Sequence, residues 1–350
     1  MDFDVMDFDV YDFFCGCGGG SEGLRQAGMS IQLGVDNAPK PLAVFSLNNP
    51  NAASWLTAVD QVNPFDVLDM IGRRAEANPN VRSVFIACPP CQPFSKMIQM
   101  TEKYKATRDE RRDAATSFVD LVEHVGPDAI LMENVPAFVG SDAFVDCVRR
   151  LEAMDYGVVW RVYNLAVFGV PQYRWRVVLV AVRHLTFFQI ELPCEHWHDA
   201  TLRTVRDAIG DLPHPAEEHG LEWHIEAGLS PLNMARIQSL QEGQDHRQLP
   251  PLLRPKRQYA NCYGRLAWDK PASTLTTGCT QYSCGPYGHP KQHRSITVLE
   301  AALLQSFPLE YRFVGKRTNI AKMIGNAFPP LAAKAFGGVI RDALSNRKDT

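Results

Sequence analysis

A glycine cluster set directly behind one apolar run and ahead of a helical pattern restricts this chain more than any other feature. The stretch YDFFCGCGGGSEGL follows a strand pattern over Val10 to Phe14 and leads into a helix near Ser21 to Ala27. A second strand, Ile31 to Val35, ends at Asp36. Glycines let backbone approach a ligand closely, and the helix that follows offers unbonded amides. A carboxylate closing the second strand is placed to accept hydrogen bonds from ribose hydroxyls. GCGGGSEG comes near the dinucleotide fingerprint GxGxxG without matching it, so a nicotinamide-dependent oxidoreductase stays open on this stretch alone. Further strand patterns cover Val84 to Ala87, Ala129 to Met132, Tyr156 to Tyr163 and Val177 to Val182. Between the first two of these, Phe118, Leu121, Val122 and Val125 recur at helical spacing. Strand and helix alternating in this way predict an α/β fold, Rossmann-like, with a mainly parallel sheet covered on both faces.

The pattern breaks after Arg183. Residues 184 to 260 are rich in Pro, His and Gln with weak periodicity, and order returns at Arg265. Helices are expected over Val298 to Gln305 and from about Pro330 to Leu344. The expected organisation is therefore 1–183, a smaller irregular domain over 184–297, and a C-terminal segment 298–350 returning to the first domain. Apolar residues make up 45% of the 350, enough for a sizeable core. No apolar run is long enough to span a membrane, and the acidic start MDFDVMDFDV, a pentapeptide in tandem, is read as an extended lead-in and not as a secretory signal. Nine scattered cysteines suit a reducing cytoplasm. The net charge of −3 does not announce a nucleic-acid binder. From Pro251 to Arg294, however, Arg254, Lys256, Arg257, Arg265, Lys270, Lys291 and Arg294 stand against Asp269 alone, a balance that suits either a phosphate backbone or a solvated surface.

Three runs carry chemistry. In FIACPPCQPFS a strand leads into two prolines and then Cys91, a loop cysteine placed as a nucleophile if its pKa is lowered. Cys88 and Cys91 also form a CxxC, open to zinc or dithiol readings, although no second CxxC or His pair completes a zinc site. In AILMENVPAF, Glu133 and Asn134 close a strand at the end where open parallel sheets carry their sites. In GVPQYRWRVVLVAV, Gln172, Arg174 and Arg176 alternate into a strand, which predicts one shared face. Arginines on an apolar strand require a partner or an anion. The run CEHWHD holds Cys194, His196 and His198 without further ligands at metal-binding spacing, so no metal site is expected.

Taken together and in order, these runs resemble the DNA cytosine-5 methyltransferase family, of the compact bacterial or phage type. DFFCGCGGG looks like its first motif, ACPPCQPFS its Pro-Cys-Gln motif, MENVP its Glu-Asn-Val motif and QYRWR its Gln-x-Arg-x-Arg motif. RLAWDKPASTLTT, HPKQHRSITVLEAALLQSFP and MIGNAFPP look like its C-terminal motifs. The resemblance implies an S-adenosylmethionine-dependent methyltransferase fold with S-adenosylmethionine as cofactor. Phe14 would contact its adenine or methionine part, with Gly16 and Gly18 in the turn. Asp36 and Asn37 would lie at the ribose, Asp60 at the adenine amine with Asp69 as a rival, and Asn326 and Pro90 would complete the pocket. Cys91 would attack carbon 6 of a flipped-out cytosine, Glu133 would hold the ring edge and Arg176 the ring oxygen, and Arg174 would brace Glu133.

Gln92, Ser95, Lys96, Arg254, Lys256 and Arg257 are candidates for DNA contact, Ser95 toward a phosphate. The basic segment from Lys96 to Arg112 would close over the DNA. A short recognition sequence would be read within roughly 184–262, with Arg203, Arg206, Arg236 and Arg247 as further candidates. Double-stranded DNA is the implied partner, with the protein acting as a monomer in the cytoplasm beside a cognate restriction nuclease. A tRNA methyltransferase and a catalytically silent DNA-binding relative remain the alternatives.

Overall fold

A computed structural model of the protein describes residues 6–90, 114–193, 202–255 and 262–346. Its strands are β1 (Asp7–Phe13), β2 (Ser30–Asp36), β3 (Ala53–Leu56), β4 (Val81–Ala87), β5 (Ala129–Asn134), β6 (Tyr156–Asn164) and β7 (Trp175–Arg183). Its helices are α1 (Gly19–Gln26), α2 (Pro39–Asn48), α3 (Pro64–Ala77), α4 (Ala114–Val125), α5 (Asp142–Ala153), α6 (Val205–Ile209), α7 (Pro231–Gln238), α8 (Val298–Leu304), α9 (Arg317–Asn326) and α10 (Pro330–Ser345). None of the described helices is long and apolar enough to cross a membrane. Contacts divide the chain into two compact units. One is Met1–Tyr163, Trp175–Glu195 and Ala333–Thr350; the other is Asn164–Arg174 and His196–Ala332.

The first unit holds a seven-stranded sheet in the order β3-β2-β1-β4-β5-β7-β6. Strands β1 to β5 pair in parallel and β7 runs antiparallel to β5, so the expected mainly parallel α/β sheet is what forms. β4, β5 and β7 are buried along most of their length, which is why they read as largely apolar runs, whereas β1 is as deeply buried yet carries Asp9 and Asp12 among its apolar residues. On one face Tyr11, Phe13, Phe85 and Phe118 build an aromatic core, with Phe13 and Phe85 centroids 4.9 Å apart. Helix starts follow their local chemistry. Asn63 caps α3 ahead of Pro64, and the Ser141 hydroxyl caps α5 by accepting from the Phe144 amide. The chain runs outward from β1 through β2 to β3, then returns to β4 on the other side of β1. The resulting switch point faces the carboxyl ends of β1 and β4, where ligands of open α/β sheets bind.

The second unit contains no strand longer than a bridge among its described residues outside Asn164, and is held by buried polar bonds. Helix α8 starts with a reciprocal cap between Thr297 and Glu300, and Glu300 also takes both guanidinium arms of Arg294 at 2.7 and 2.6 Å.

Candidate active site

The glycine turn starts with strain. Phe14 has φ 62°, a left-handed conformation costly for a bulky residue and commonest where function demands it. Gly16 and Gly18 follow at φ 54° and 87°. A side chain added at Gly16 would meet nothing within 4 Å, so the turn borders open space. Asp36, at the end of β2, ties the turn down: its carboxylate accepts from the Gly16 amide at 2.9 Å and the Ala38 amide at 2.8 Å. Burial pushes the Asp36 carboxyl upward, and those two amides pull it back. Each of its oxygens keeps a lone pair for another donor. Asn37 is exposed beside it.

Asp60 lies exposed on a single helical turn, Val59–Gln61, just beyond β3. The register pairs Asp36 with Leu56, which brings β3 to the same sheet edge as Asp36. Asp69 is instead on α3, paired with Arg73 at 2.8 Å and exposed. The four-residue strand β3, ahead of Asp60, went unseen in the sequence because its alternation spans only ASWL.

At the end of β4 the backbone continues through Pro89, buried, and Pro90, exposed. The Asn134 amide donates to the Pro89 carbonyl at 3.2 Å, and its oxygen accepts from the Val135 amide at 2.8 Å. Buried Asn134 thereby anchors the strand end that leads to Cys91. Cys91, Gln92, Ser95, Lys96, Lys103, Lys105, Cys194, His196, His198, Lys256 and Arg257 lie outside the described residues.

Glu133 closes β5 almost fully buried, with Arg176 of the neighbouring strand β7 against it, Nε to Oε1 2.7 Å. Two charges withdrawn from water in this way stabilise each other only when close, and removing either leaves the other uncompensated. The expectation that Arg174 shares this role needs correction. Strand β7 begins at Trp175, so the alternation holds for Arg176 but does not reach Arg174 or Gln172. Arg174, 1% exposed, donates to the carbonyls of Leu275, Gly325 and Ala327 at 3.2, 3.0 and 3.3 Å. Gln172 bonds Leu304 and Gln305, and accepts from the Leu275 amide at 2.8 Å. Both residues therefore staple the second unit. Asn326, exposed at the end of α9, belongs to the turn that Arg174 holds.

The basic stretch also divides. Arg265 is buried and donates to the carbonyls of Ile237, Leu240, His289 and Gln292, and Arg294 pairs with Glu300. Neither offers a free charge. Of the other candidates, Arg236 is buried over the Tyr263 ring, Arg206 pairs with Asp269 and Arg247 with Asp245. Arg203 and Arg254 remain exposed, bonded to backbone carbonyls.

Known proteins match this arrangement along its length. The family model described as C-5 cytosine-specific DNA methylase matches residues 8–342. A Type II methylase of Herpetosiphon aurantiacus, M.HgiDII, is 33% identical over 96% of this chain and 94% of its own length. A Type II methyltransferase of Haemophilus parahaemolyticus, M1.HphI, is 29% identical over 97% of this chain and 88% of its own. Among solved structures, a DNA modification methyltransferase encoded within an E.coli prophage covers 97% of this chain and 99% of its own at 21% identity, with a TM-score of 0.69. Spodoptera frugiperda DNMT2 covers 95% of this chain and 99% of its own at 17% identity, with a TM-score of 0.65.

Proposed function

The chain belongs to the C-5 cytosine-specific DNA methylase family, and from that premise we propose which of its residues carry the reaction. The protein is a DNA cytosine-5 methyltransferase, and its methyl donor is S-adenosylmethionine. Phe14, Gly16, Gly18, Asp36, Asn37, Asp60, Pro90 and Asn326 are assigned to the cofactor. The open space at Gly16 and the acceptor capacity left on Asp36 support that end of the assignment. The exposed position of Asp60 next to β3, against the ion pair on Asp69, favours Asp60 for the adenine amine.

Carbon 5 of cytosine is a poor nucleophile while the ring stays aromatic. The Cys91 thiolate adds to carbon 6, which makes carbon 5 electron-rich and splits one hard step into two. Glu133 holds the nitrogen 3 edge and shares its proton, and Arg176 faces the charge gathering on the ring oxygen. The single observation that carries this reading is the buried Glu133–Arg176 pair at the carboxyl end of β5, on the residue next to the Asn134 anchor of the Pro89 strand end. Bound S-adenosylmethionine supplies an electrophilic methyl group. Once carbon 5 carries the methyl, loss of its proton to a base restores the ring double bond and expels the thiolate. A base within a duplex cannot reach these groups, so the target cytosine is flipped out at a cost of a few kcal/mol.

Residues 184–297 are proposed to read a short DNA sequence, with exposed Arg203 and Arg254 the described cations best suited to meet DNA. Since the similar bacterial proteins are named Type II methylases, a restriction–modification role beside a cognate nuclease is part of the proposal. Methyl transfer from labelled S-adenosylmethionine to mixed-sequence duplex DNA, with base-resolution mapping, tests it. Label at carbon 5 within one recurring short sequence supports the assignment. Label in a tRNA with none in duplex DNA overturns it.

A further inference from the structure

A cleft of about 400 Å³ opens wholly within the second unit, lined by α6 with the loop behind it and by the turn that carries His289 to Gln292. Its size falls in the range of small-molecule sites. None of its residues is assigned to the cofactor or to the target cytosine. Part of the lining is apolar, from Ile209, Leu212, Pro213 and the indole of Trp268. The rest carries charge, and the charges sort into spent and free. Arg294 and Glu300 neutralise each other at 2.7 and 2.6 Å. Arg206, on α6, gives only its Nε to Asp269 at 2.9 Å, an exposed pair that contributes little in water. Its guanidinium carbon lies 5.3 Å from the centre of the Trp268 ring, which steadies the group. The terminal nitrogens of that guanidinium have no acceptor among the described residues. Lys291 and Asp211 are exposed and make no ion pair among the described residues.

His289 points to a ligand. It is 4% exposed, lines the cleft and stands edge-on to Trp268 at 5.2 Å. Its Nδ1 accepts from the amides of Lys291 and Gln292 at 3.2 and 3.0 Å, so its hydrogen sits on Nε2. That N–H has no hydrogen-bond partner among the described residues. Glu300 Oε1 stands 3.9 Å from it and already takes Arg294. Burial pushes His289 down to about 4, so the ring is a neutral donor at physiological pH. A buried donor left unpaired is costly, and an acceptor in the cleft would remove that cost.

We propose that this cleft is an accessory nucleotide-binding site, in which Arg206 and Lys291 take a phosphate, the His289 Nε2–H donates to a ligand oxygen, and Asp211 accepts from a sugar hydroxyl. Two cations and a neutral donor suit a phosphate oxygen set, and a carboxylate beside them suits a hydroxyl. The apolar lining, Trp268 included, covers sugar and base, and nothing in it selects one base. A free nucleotide and an unpaired nucleotide of a DNA strand offer the same chemistry. The inference uses the cleft alone and stands apart from the assignment of Cys91, Glu133 and Arg176.

The test is calorimetry on the full chain saturated with S-adenosylhomocysteine, which occupies the cofactor site. The probe is guanosine monophosphate, whose base is neither the adenine of the cofactor nor the target cytosine. It should bind, and inorganic phosphate should bind about tenfold more weakly, since it cannot use Asp211 or the apolar lining. Arg206→Gln and Lys291→Gln change exposed side chains and should leave the urea midpoint where it is. Each should weaken nucleotide binding about tenfold. With isotope-labelled histidine, the Nε2 proton signal that His289→Phe removes should shift when the nucleotide binds. The same shift with a duplex that ends in an unpaired nucleotide, and not with a blunt one, identifies DNA as the source; a shift with the mononucleotide alone identifies a free nucleotide. No nucleotide binding up to about 10 mM overturns the proposal. So does binding that both variants leave unchanged, binding that does not move the His289 signal, or phosphate binding as tightly as the nucleotide.

Discussion

Replacing Arg174 by Met separates a structural staple from a catalytic group. The guanidinium is 1% exposed and donates to three backbone carbonyls, of Leu275, Gly325 and Ala327, at 3.0 to 3.3 Å. Hydrogen bonds from a charged donor contribute roughly 1.5 kcal/mol each at the lower end, so losing three removes about 4 to 5 kcal/mol. Met fills much of the same volume and relieves the cost of burying a charge, which returns about 1 to 2 kcal/mol. The net loss is about 3 kcal/mol. Urea unfolding followed by tryptophan fluorescence reads this, since Trp223 and Trp268 lie in the second unit with the staple. A midpoint lowered by roughly 1 M is expected. Arg174→Lys should fall between the two, because one ammonium cannot serve three separate carbonyls in the way a planar fork does. A variant as stable as wild type but unable to turn over would refute the staple and restore a direct catalytic role.

Cys91→Ala should reduce methylation to background while S-adenosylmethionine binding, measured by calorimetry, stays intact; normal turnover would remove Cys91 from the mechanism. Gly325→Ala would drive a Cβ into the backbone of Thr276 and Thr277, and should destabilise by about 2 to 3 kcal/mol in urea; no change would mean that the 274–277 segment yields freely. In the ligand-free protein, an Asp12 carboxyl raised to about 7 adds stability that is complete below about 4 and is lost as pH climbs through 7. Between pH 5 and 8 the wild type should therefore lose stability relative to Asp12→Asn, by roughly 3 kcal/mol at most, and parallel curves would show that Asp12 does not titrate there.

What the sequence disclosed and what it concealed divide along one line. Strands buried on both faces, such as β4 and β5, announce themselves as largely apolar runs, and the glycine turn behind β1 needs no tertiary information to be read. The alternating short strand β3 and the helices α2 and α3 went unread because their burial is partial. In QYRWR the residue types were legible but their directions were not. Period-two reasoning gives one face to Gln172, Arg174 and Arg176 only if the strand covers them all, and it starts at Trp175. One residue of strand boundary therefore sends Arg176 to Glu133 and Arg174 to the carbonyls of the 275 and 325–327 segments. The same limit applies to charge. Seven cations counted between 251 and 294 suggest a DNA face, yet Arg265 and Arg294 are structural bonds, a fact set by burial and invisible in composition. Asp12 is the converse: in sequence it is one more acid before a glycine turn, and only the fold shows it buried with no arginine against it among the described residues.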